Sequence, residues 1–110
     1  MDVGRLLGRF ADERTEIVLV GGWAAIAHGV VHLTNDVDFC YAADPANLER
    51  VAQALAPLNL RLRVEGLTDE QASSLPFRLD GRALRDHELL TLVTDAGVVD
   101  LIRTSRRIEI

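Results

Sequence analysis

The chain has 110 residues, a length that predicts one domain covering residues 1–110. Apolar residues make up 48% of the chain and charged residues 26%, as in globular proteins, and no apolar run is long enough to cross a membrane. The formal net charge of -5 argues against binding of nucleic acid through a broad basic surface, but it leaves room for a local arginine cluster.

The single cysteine, Cys40, excludes an internal disulfide and is typical of proteins from a reducing compartment. It lies in an apolar stretch, where we expect it to be a small core residue. The first residues of the chain lack the apolar run of a signal peptide. We therefore expect a cytoplasmic protein with no contact to the membrane.

The first third of the chain predicts a helix, a strand and a glycine turn. A short apolar run, Glu16–Val20, predicts a strand that ends at the pair Gly21-Gly22. The alanine-rich stretch that follows predicts a second helix, with Gly29 at its C-terminal end. The first helix is capped by Asp2 and is predicted by four apolar residues at helical spacing: Val3, Leu6, Leu7 and Phe10.

The middle of the chain predicts two strands around a helix. The run DVDFCYA, Asp36–Ala42, predicts a strand. Asp44 and Pro45 are typical of the cap and the first residue of a helix, which Pro57 then ends. The alternating run LRLRVE, Leu60–Glu65, predicts a further strand.

The last third contains the clearest supersecondary pattern. Two β-rich runs within Leu89–Ile102 flank the residues Thr94-Asp95-Ala96-Gly97, which predicts a hairpin with a short loop. The second strand of this hairpin contains Asp100. Before it, the polar stretch 65–80 predicts a loop or a short helix, and one helical turn is expected after Gly81.

Three aspartates interrupt the predicted strands. Asp36 and Asp38, at positions i and i+2, project to the same face of their strand, and Asp100 interrupts the hairpin in the same way. If these strands are neighbours, the three carboxylates converge beside the glycine turn. Like charges about 4 Å apart repel by about 4 kcal/mol per pair at an effective dielectric of 20. Such a cluster requires a shared proton or a divalent cation, and Mg²⁺ suits it best.

The glycine pair adds a place for phosphate. Gly21 and Gly22 allow backbone N–H groups to approach an anion closely, and the helix that follows directs its positive end to the same point. A phosphate cradle beside a metal-binding acidic cluster predicts nucleotidyl transfer. In this chemistry two ions activate the attacking hydroxyl and stabilise the leaving pyrophosphate.

Three motifs occur in the order expected of a known superfamily: Val20-Gly21-Gly22, Asp36-Val37-Asp38-Phe39 and Val99-Asp100-Leu101. This order resembles the nucleotidyltransferase superfamily typified by DNA polymerase β, over about residues 16–102. Within it, the stretch GGWAAIAHGVVHLTNDVDF is similar to small bacterial proteins of the AbiEii toxin-like group. The resemblance implies a minimal nucleotidyltransferase fold of the α+β class, with a mixed, mostly antiparallel sheet and helices packed on one side.

The resemblance also implies a role for each motif residue. Gly21 and Gly22 would hold the triphosphate of an NTP. Asp36 and Asp38 would bind Mg²⁺ ions, with Mn²⁺ as the alternative metal. Asp100 would complete one metal site and help to deprotonate the acceptor hydroxyl.

Two departures from the family pattern bear on activity. His32 stands where relatives carry the arginine of an Arg-x-Thr motif, so one positive charge near the phosphates is partial at neutral pH, whereas Thr34 is retained. The chain also ends soon after Asp100, where relatives add helices that help to bind the base or the acceptor. A second copy in a homodimer or an antitoxin-like partner would supply that surface.

The expected function is transfer of NMP from an NTP to a hydroxyl of RNA, protein or a small molecule, as the toxin of a toxin–antitoxin system. The alternative from another class is a weakly active or inactive domain of the same fold that binds a nucleotide or a partner. A further alternative is an antibiotic nucleotidyltransferase. No sequence feature identifies the NTP or the acceptor.

Overall fold

The computed structural model describes residues 2–21, 36–64, 66–75 and 77–104. Their helices and strands follow one another as α1 (Val3–Asp12), β1 (Ile17–Val20), β2 (Asp36–Ala42), α2 (Pro45–Leu55), β3 (Arg61–Leu62), α3 (Asp69–Ser73), α4 (Gly81–Asp86), β4 (Leu89–Thr94) and β5 (Gly97–Thr104). A short 3₁₀ turn, Ala56–Leu58, follows α2. None of the helices in these residues combines the length and the apolar content needed to cross a membrane.

The five strands form one mixed sheet in the order β1-β2-β5-β4-β3. Strand β2 pairs in parallel with β5, and the other neighbouring pairs are antiparallel. The α+β class and the mixed, mostly antiparallel sheet that the sequence predicts are therefore confirmed. The parallel pair sits in the middle of the sheet and brings together two strands that are far apart in the sequence.

The main core lies between one face of the sheet and the helices. Alternate residues of the central strands are fully buried on this face, among them Val37 and Phe39 of β2 and Leu101 of β5. The apolar residues of α2 pack against them. The helical side of this core comprises Leu6, Phe10, Leu48, Val51, Ala52, Ala54, Leu55 and Leu84.

Helix starts follow the capping residues that the sequence predicts. The Asp2 side chain accepts a hydrogen bond from Arg5 N (2.9 Å), and Asp44 accepts one from Asn47 N (3.1 Å). Helix α2 ends at Leu55, two residues before Pro57, which lies in the 3₁₀ turn. These local signals mark where α1 and α2 begin and where α2 ends.

Two expectations from the sequence need correction. The third strand is expected over Leu60–Glu65, but the strand of the structure, Arg61–Leu62, is shorter. One further hydrogen bond joins Arg63 N to Thr91 O, and a turn closed by the hydrogen bond from Leu67 N to Val64 O then ends the pairing with β4. Cys40 is partly exposed instead of buried in the core. It shares the face of β2 with Asp36 and Asp38, which points away from the core.

A buried asparagine fixes β1 against the end of β2. Asn47 is fully buried in the first turn of α2. Its Oδ1 accepts a hydrogen bond from Glu16 N (2.6 Å), and its Nδ2 donates to Glu16 O (3.0 Å) and Ala42 O (2.9 Å). One side chain thus pairs three backbone groups at the point where β1 begins and β2 ends.

Replacement of Asn47 by alanine should lower the free energy of unfolding by about 3 kcal/mol, because it removes three hydrogen bonds and takes from Glu16 N and the buried Ala42 O the partner that Asn47 supplies. Urea denaturation followed by circular dichroism measures this change. The matched control, Gln53→Ala on the exposed side of the same helix, should change stability by less than about 0.5 kcal/mol. Equal effects of the two variants would contradict the assigned role of Asn47.

Candidate functional site

Three carboxylates meet on the sheet face that points away from the core. The parallel register of β2 and β5 places Asp38 directly opposite Asp100, and Asp36 lies two residues earlier on the same face. Each of the three residues offers an oxygen that lies within 4.8 Å of the others, and all three are partly buried. The structure thus brings together the three aspartates that the sequence singles out.

The crowding of these carboxylates changes the protonation of Asp38. Burial raises the pKa of Asp38, and the hydrogen bond to Asp100 and the negative charges of Asp100 and Asp36 raise it further, to about 6. A proton held between Asp38 and Asp100 is one way to relieve the repulsion. A bound cation is the other.

Gly21 lies against the Asp38 carboxylate. It follows Val20, the residue of β1 that pairs with Asp38, and its φ of 71° is one that residues with a side chain rarely adopt. A Cβ at this position would lie 2.6 Å from Asp38 Oδ2. Glycine is therefore required for the chain to turn so close to the cluster, and it leaves bare backbone beside the carboxylates.

The remaining residues of the expected phosphate site are Gly22, His32 and Thr34. All three lie outside the described residues, as does the helix expected after the glycine pair. Their roles stay predictions.

Thr91 belongs to the cluster, although the sequence analysis missed it. It lies opposite Asp100 in the β4–β5 hairpin, and its Oγ1 donates a hydrogen bond of 2.6 Å to Asp100 Oδ1. The sequence holds a signal for this contact. A two-residue loop that pairs Thr94 with Gly97 also pairs Thr91 with Asp100, by counting back along the two strands.

A cavity of about 420 Å³ adjoins the cluster on the side of Thr91. It is lined by Arg63, Val64, Gly66, Leu67 and Thr91. A cavity of about 520 Å³ lies instead beside α2, where its lining includes Glu49 and Asp80 but none of the clustered aspartates. None of the clustered aspartates lines either cavity, but the smaller one is lined by Thr91, whose Oγ1 donates a hydrogen bond to Asp100.

The donor set of the cluster fits a hard divalent cation. Mg²⁺ binds oxygen ligands at about 2.1 Å, so two ligand oxygens on one ion are at most about 4.2 Å apart. The oxygens of Asp36, Asp38 and Asp100 already lie within 4.8 Å of one another, so small side-chain rotations bring all three to one ion. The three aspartates could therefore hold Mg²⁺ or Mn²⁺.

Comparison of the chain with protein-family models, with curated proteins and with solved structures gives no match. We therefore infer function from the geometry of the site itself.

The raised pKa of Asp38 should make the metal-free protein less stable as the pH rises. The pKa of Asp38 is about 6 in the folded chain and 3.8 in the reference state, so the fold favours the protonated form. The free energy of unfolding should then fall between about pH 4 and pH 6 and stay low above that. Because Asp38 is partly exposed and screened by solvent, we expect a loss of about 1 kcal/mol.

Asp38→Asn should remove this loss and raise the melting temperature at pH 7 in the absence of divalent ions. Thermal unfolding between pH 4 and pH 8 tests this, with Asp95→Asn in the exposed hairpin loop as the matched control. Addition of Mg²⁺ at pH 7 should stabilise the wild type and not the Asp38→Asn variant. A pH profile that the Asp38 variant shares with the wild type would refute the assignment.

Two glycine-to-alanine changes should have opposite effects on stability. Gly21→Ala should lower the free energy of unfolding by about 1–2 kcal/mol, because it strains a positive φ and pushes on the Asp38 carboxylate. Gly8→Ala should raise it by about 0.5–1 kcal/mol, because Gly8 lies on the exposed side of α1 with open space around it. Chemical denaturation of both variants measures the difference, and shifts in the same direction would argue against the close approach at Gly21.

Proposed function

We propose that this chain is a metal-dependent nucleotidyltransferase, which transfers NMP from an NTP to an acceptor hydroxyl and releases pyrophosphate. The observation that carries this proposal is the meeting of Asp36, Asp38 and Asp100 beside the bare backbone of Gly21. A carboxylate cluster alone suits many cation sites. A cluster that adjoins backbone at a glycine suits a cation that is bound together with phosphate.

The resemblance of the three sequence motifs to the nucleotidyltransferase superfamily supports the same proposal. Asp38 and Asp100 lie on neighbouring strands, and Gly21, which directly follows the strand on the other side of Asp38, lies against the Asp38 carboxylate. The order of the motifs in the sequence and their proximity in the fold are independent observations, and both agree with this chemistry.

In the proposed reaction, Asp36, Asp38 and Asp100 would hold the metal. Mg²⁺, when bound, would neutralise charge on the phosphate oxygens and favour the ionised form of the acceptor hydroxyl. The acceptor oxygen forms a bond to the α-phosphorus while the bond from that phosphorus to the bridging oxygen breaks, and pyrophosphate leaves with the electron pair. Asp100 accepts the hydroxyl proton, and Thr91 orients its carboxylate through the hydrogen bond to Oδ1.

We also infer that the protein acts in the cytoplasm. The proposed substrate is an NTP, and the single cysteine of the chain, Cys40, is partly exposed and suits a reducing environment.

The test is transfer of label from each α-labelled NTP, with Mg²⁺ or Mn²⁺, to total cellular RNA, to total protein and to small hydroxyl compounds. Asp36→Asn, Asp38→Asn and Asp100→Asn should each lower the rate by about 100-fold or more, because each removes a charge that acts on the reacting groups. Asp95→Asn, in the exposed loop of the same hairpin, is the matched control and should retain full activity.

Two outcomes would contradict the proposal. Transfer that survives in the three cluster variants would place the chemistry elsewhere. Tight NTP binding without transfer to any acceptor would favour the alternative function, a nucleotide-binding module.

A further inference from the structure

The cluster belongs to a row of residues that crosses the whole sheet. Val20 pairs with Asp38, Asp38 with Asp100, and Asp100 with Thr91. The row continues at the edge of the sheet, where Arg63 N donates a hydrogen bond of 2.9 Å to Thr91 O. Gly21 therefore lies beyond one end of the row and Arg63 at the other, with the carboxylates between them.

The two ends of the row differ in charge and shape. At one end Gly21 has no side chain, and the proposed reaction places the triphosphate of the NTP beside its backbone. At the other end, Arg63 and Thr91 share the cavity of about 420 Å³ with the turn that follows β3. This volume lies in the range of about 300–1,000 Å³ that small-molecule sites occupy.

A tight turn shapes the far wall of this cavity. Leu67 N donates a hydrogen bond of 3.1 Å to Val64 O, and Gly66 within the turn has a φ of 83°. A Cβ on Gly66 would meet no atom within 4 Å, so the backbone of the turn borders open space. Val64 and Leu67 add apolar surface, and Leu67 is 40% exposed.

The side chain of Arg63 is a cationic group in the lining of the cavity. Arg63 is exposed, and among the described residues its guanidinium makes no ion pair, as is also true of Arg61 and Arg78. A guanidinium matches the geometry of phosphate oxygens and binds them through two parallel hydrogen bonds. In a chain with a net charge of -5, an unpaired arginine beside a cavity favours an anionic ligand.

The spacing relates this anion to the reacting hydroxyl. Neighbouring strands lie about 4.8 Å apart, so the backbone of Arg63 is about 10 Å from that of Asp100. The long arginine side chain allows the guanidinium to come closer to Asp100 than this. A sugar that presents its hydroxyl to Asp100 would then place its own phosphate ester near Arg63. Thr91 lies between the two positions and contacts Asp100.

We infer that this cavity binds the acceptor, and that Arg63 selects acceptors which carry a phosphate one sugar away from the reacting hydroxyl. The inference rests on the proposed nucleotidyl transfer and deepens it by naming the acceptor class. Both the 3′ end of an RNA strand and a free mononucleotide have this chemistry. Arg63 acts as a specificity residue, since it contacts the acceptor and not the NTP.

Binding without chemistry is measured first, on the full chain with Mg²⁺ and no NTP. The probes are AMP and the trinucleotide ApApA, each with a neutral counterpart: adenosine, and ApApA with methylphosphonate linkages. Amide chemical shifts of Gly66, Leu67 and Thr91 report occupancy of the cavity. We expect the charged probe to bind at least 10-fold more tightly than its neutral counterpart.

Arg63→Gln should abolish this preference for charge, and Arg63→Lys should retain part of it. The matched control is Arg61→Gln, since Arg61 lies two residues before Arg63, in β3, donates a hydrogen bond to Asn59 O and does not line the cavity. In the transfer assay, Arg63→Gln should raise the KM for the acceptor at least 10-fold and change the KM for the NTP less than twofold. A purely structural role of Arg63 would not separate the two constants.

The outcomes distinguish this inference from the function on which it rests. Transfer by the wild type without occupancy of the cavity, or equal effects of Arg63→Gln and Arg61→Gln, would overturn the inference and leave the proposed function intact. Occupancy by charged probes without transfer to any acceptor would uphold the cavity assignment and overturn the proposed function. Binding of ApApA and not AMP identifies a polynucleotide end as the acceptor, and the reverse result identifies a free nucleotide.

Discussion

The parallel pairing of β2 with β5 is the constraint on which the candidate site depends. It sets Asp38 directly opposite Asp100 and adds Asp36 from the same face, so that three like charges share one small region of the sheet. Nothing in the apolar core requires this arrangement, since the other face of the same strands supplies the packing. The fold tolerates the repulsion through a raised pKa at Asp38 and a hydrogen bond from Thr91 to Asp100. The aspartates lie outside the apolar core, and carboxylates with a raised pKa occur often at functional sites, so this cluster is the candidate site.

The two faces of the sheet have different roles: one packs against the helices, and the other carries the three carboxylates. On one face, residues such as Phe39, Tyr41 and Leu101 are buried under the helices and hold the strands in register. Asn47 adds a polar anchor at the end of β2, where it fixes β1. Packing on the core face fixes the register of the strands, and this register aligns the residues from Val20 to Thr91 on the opposite face. The chemistry-bearing side chains thus depend on packing that they do not themselves provide.

The faces of the strands and the starts of the helices follow from local sequence, whereas the pairing of distant strands and the Arg63 cavity do not. Alternation in DVDFCYA fixes which residues share a face, and the capping pattern at Asp44-Pro45 fixes where α2 begins. Alternation does not show which strands are neighbours, so the proximity of Asp38 to Asp100 follows only from the order of the strands in the sheet. The Thr91 contact was accessible from the hairpin register. The Arg63 cavity was not, because it depends on the turn around Gly66 and on where an edge strand of two paired residues stops.

The row across the sheet has a consequence for how the protein acquires its site. Its members come from positions near residues 20, 38, 63, 91 and 100, so no short fragment of the chain contains more than a part of it. The pairings of β2 with β5 and of β3 with β4 close long loops, and the entropy of those closures is lost before the contacts offset it. During synthesis, the carboxylates of β2 can meet Asp100 only after β5 has been synthesised and has paired with β2. Assembly of the site is therefore a late event that reports completion of the sheet.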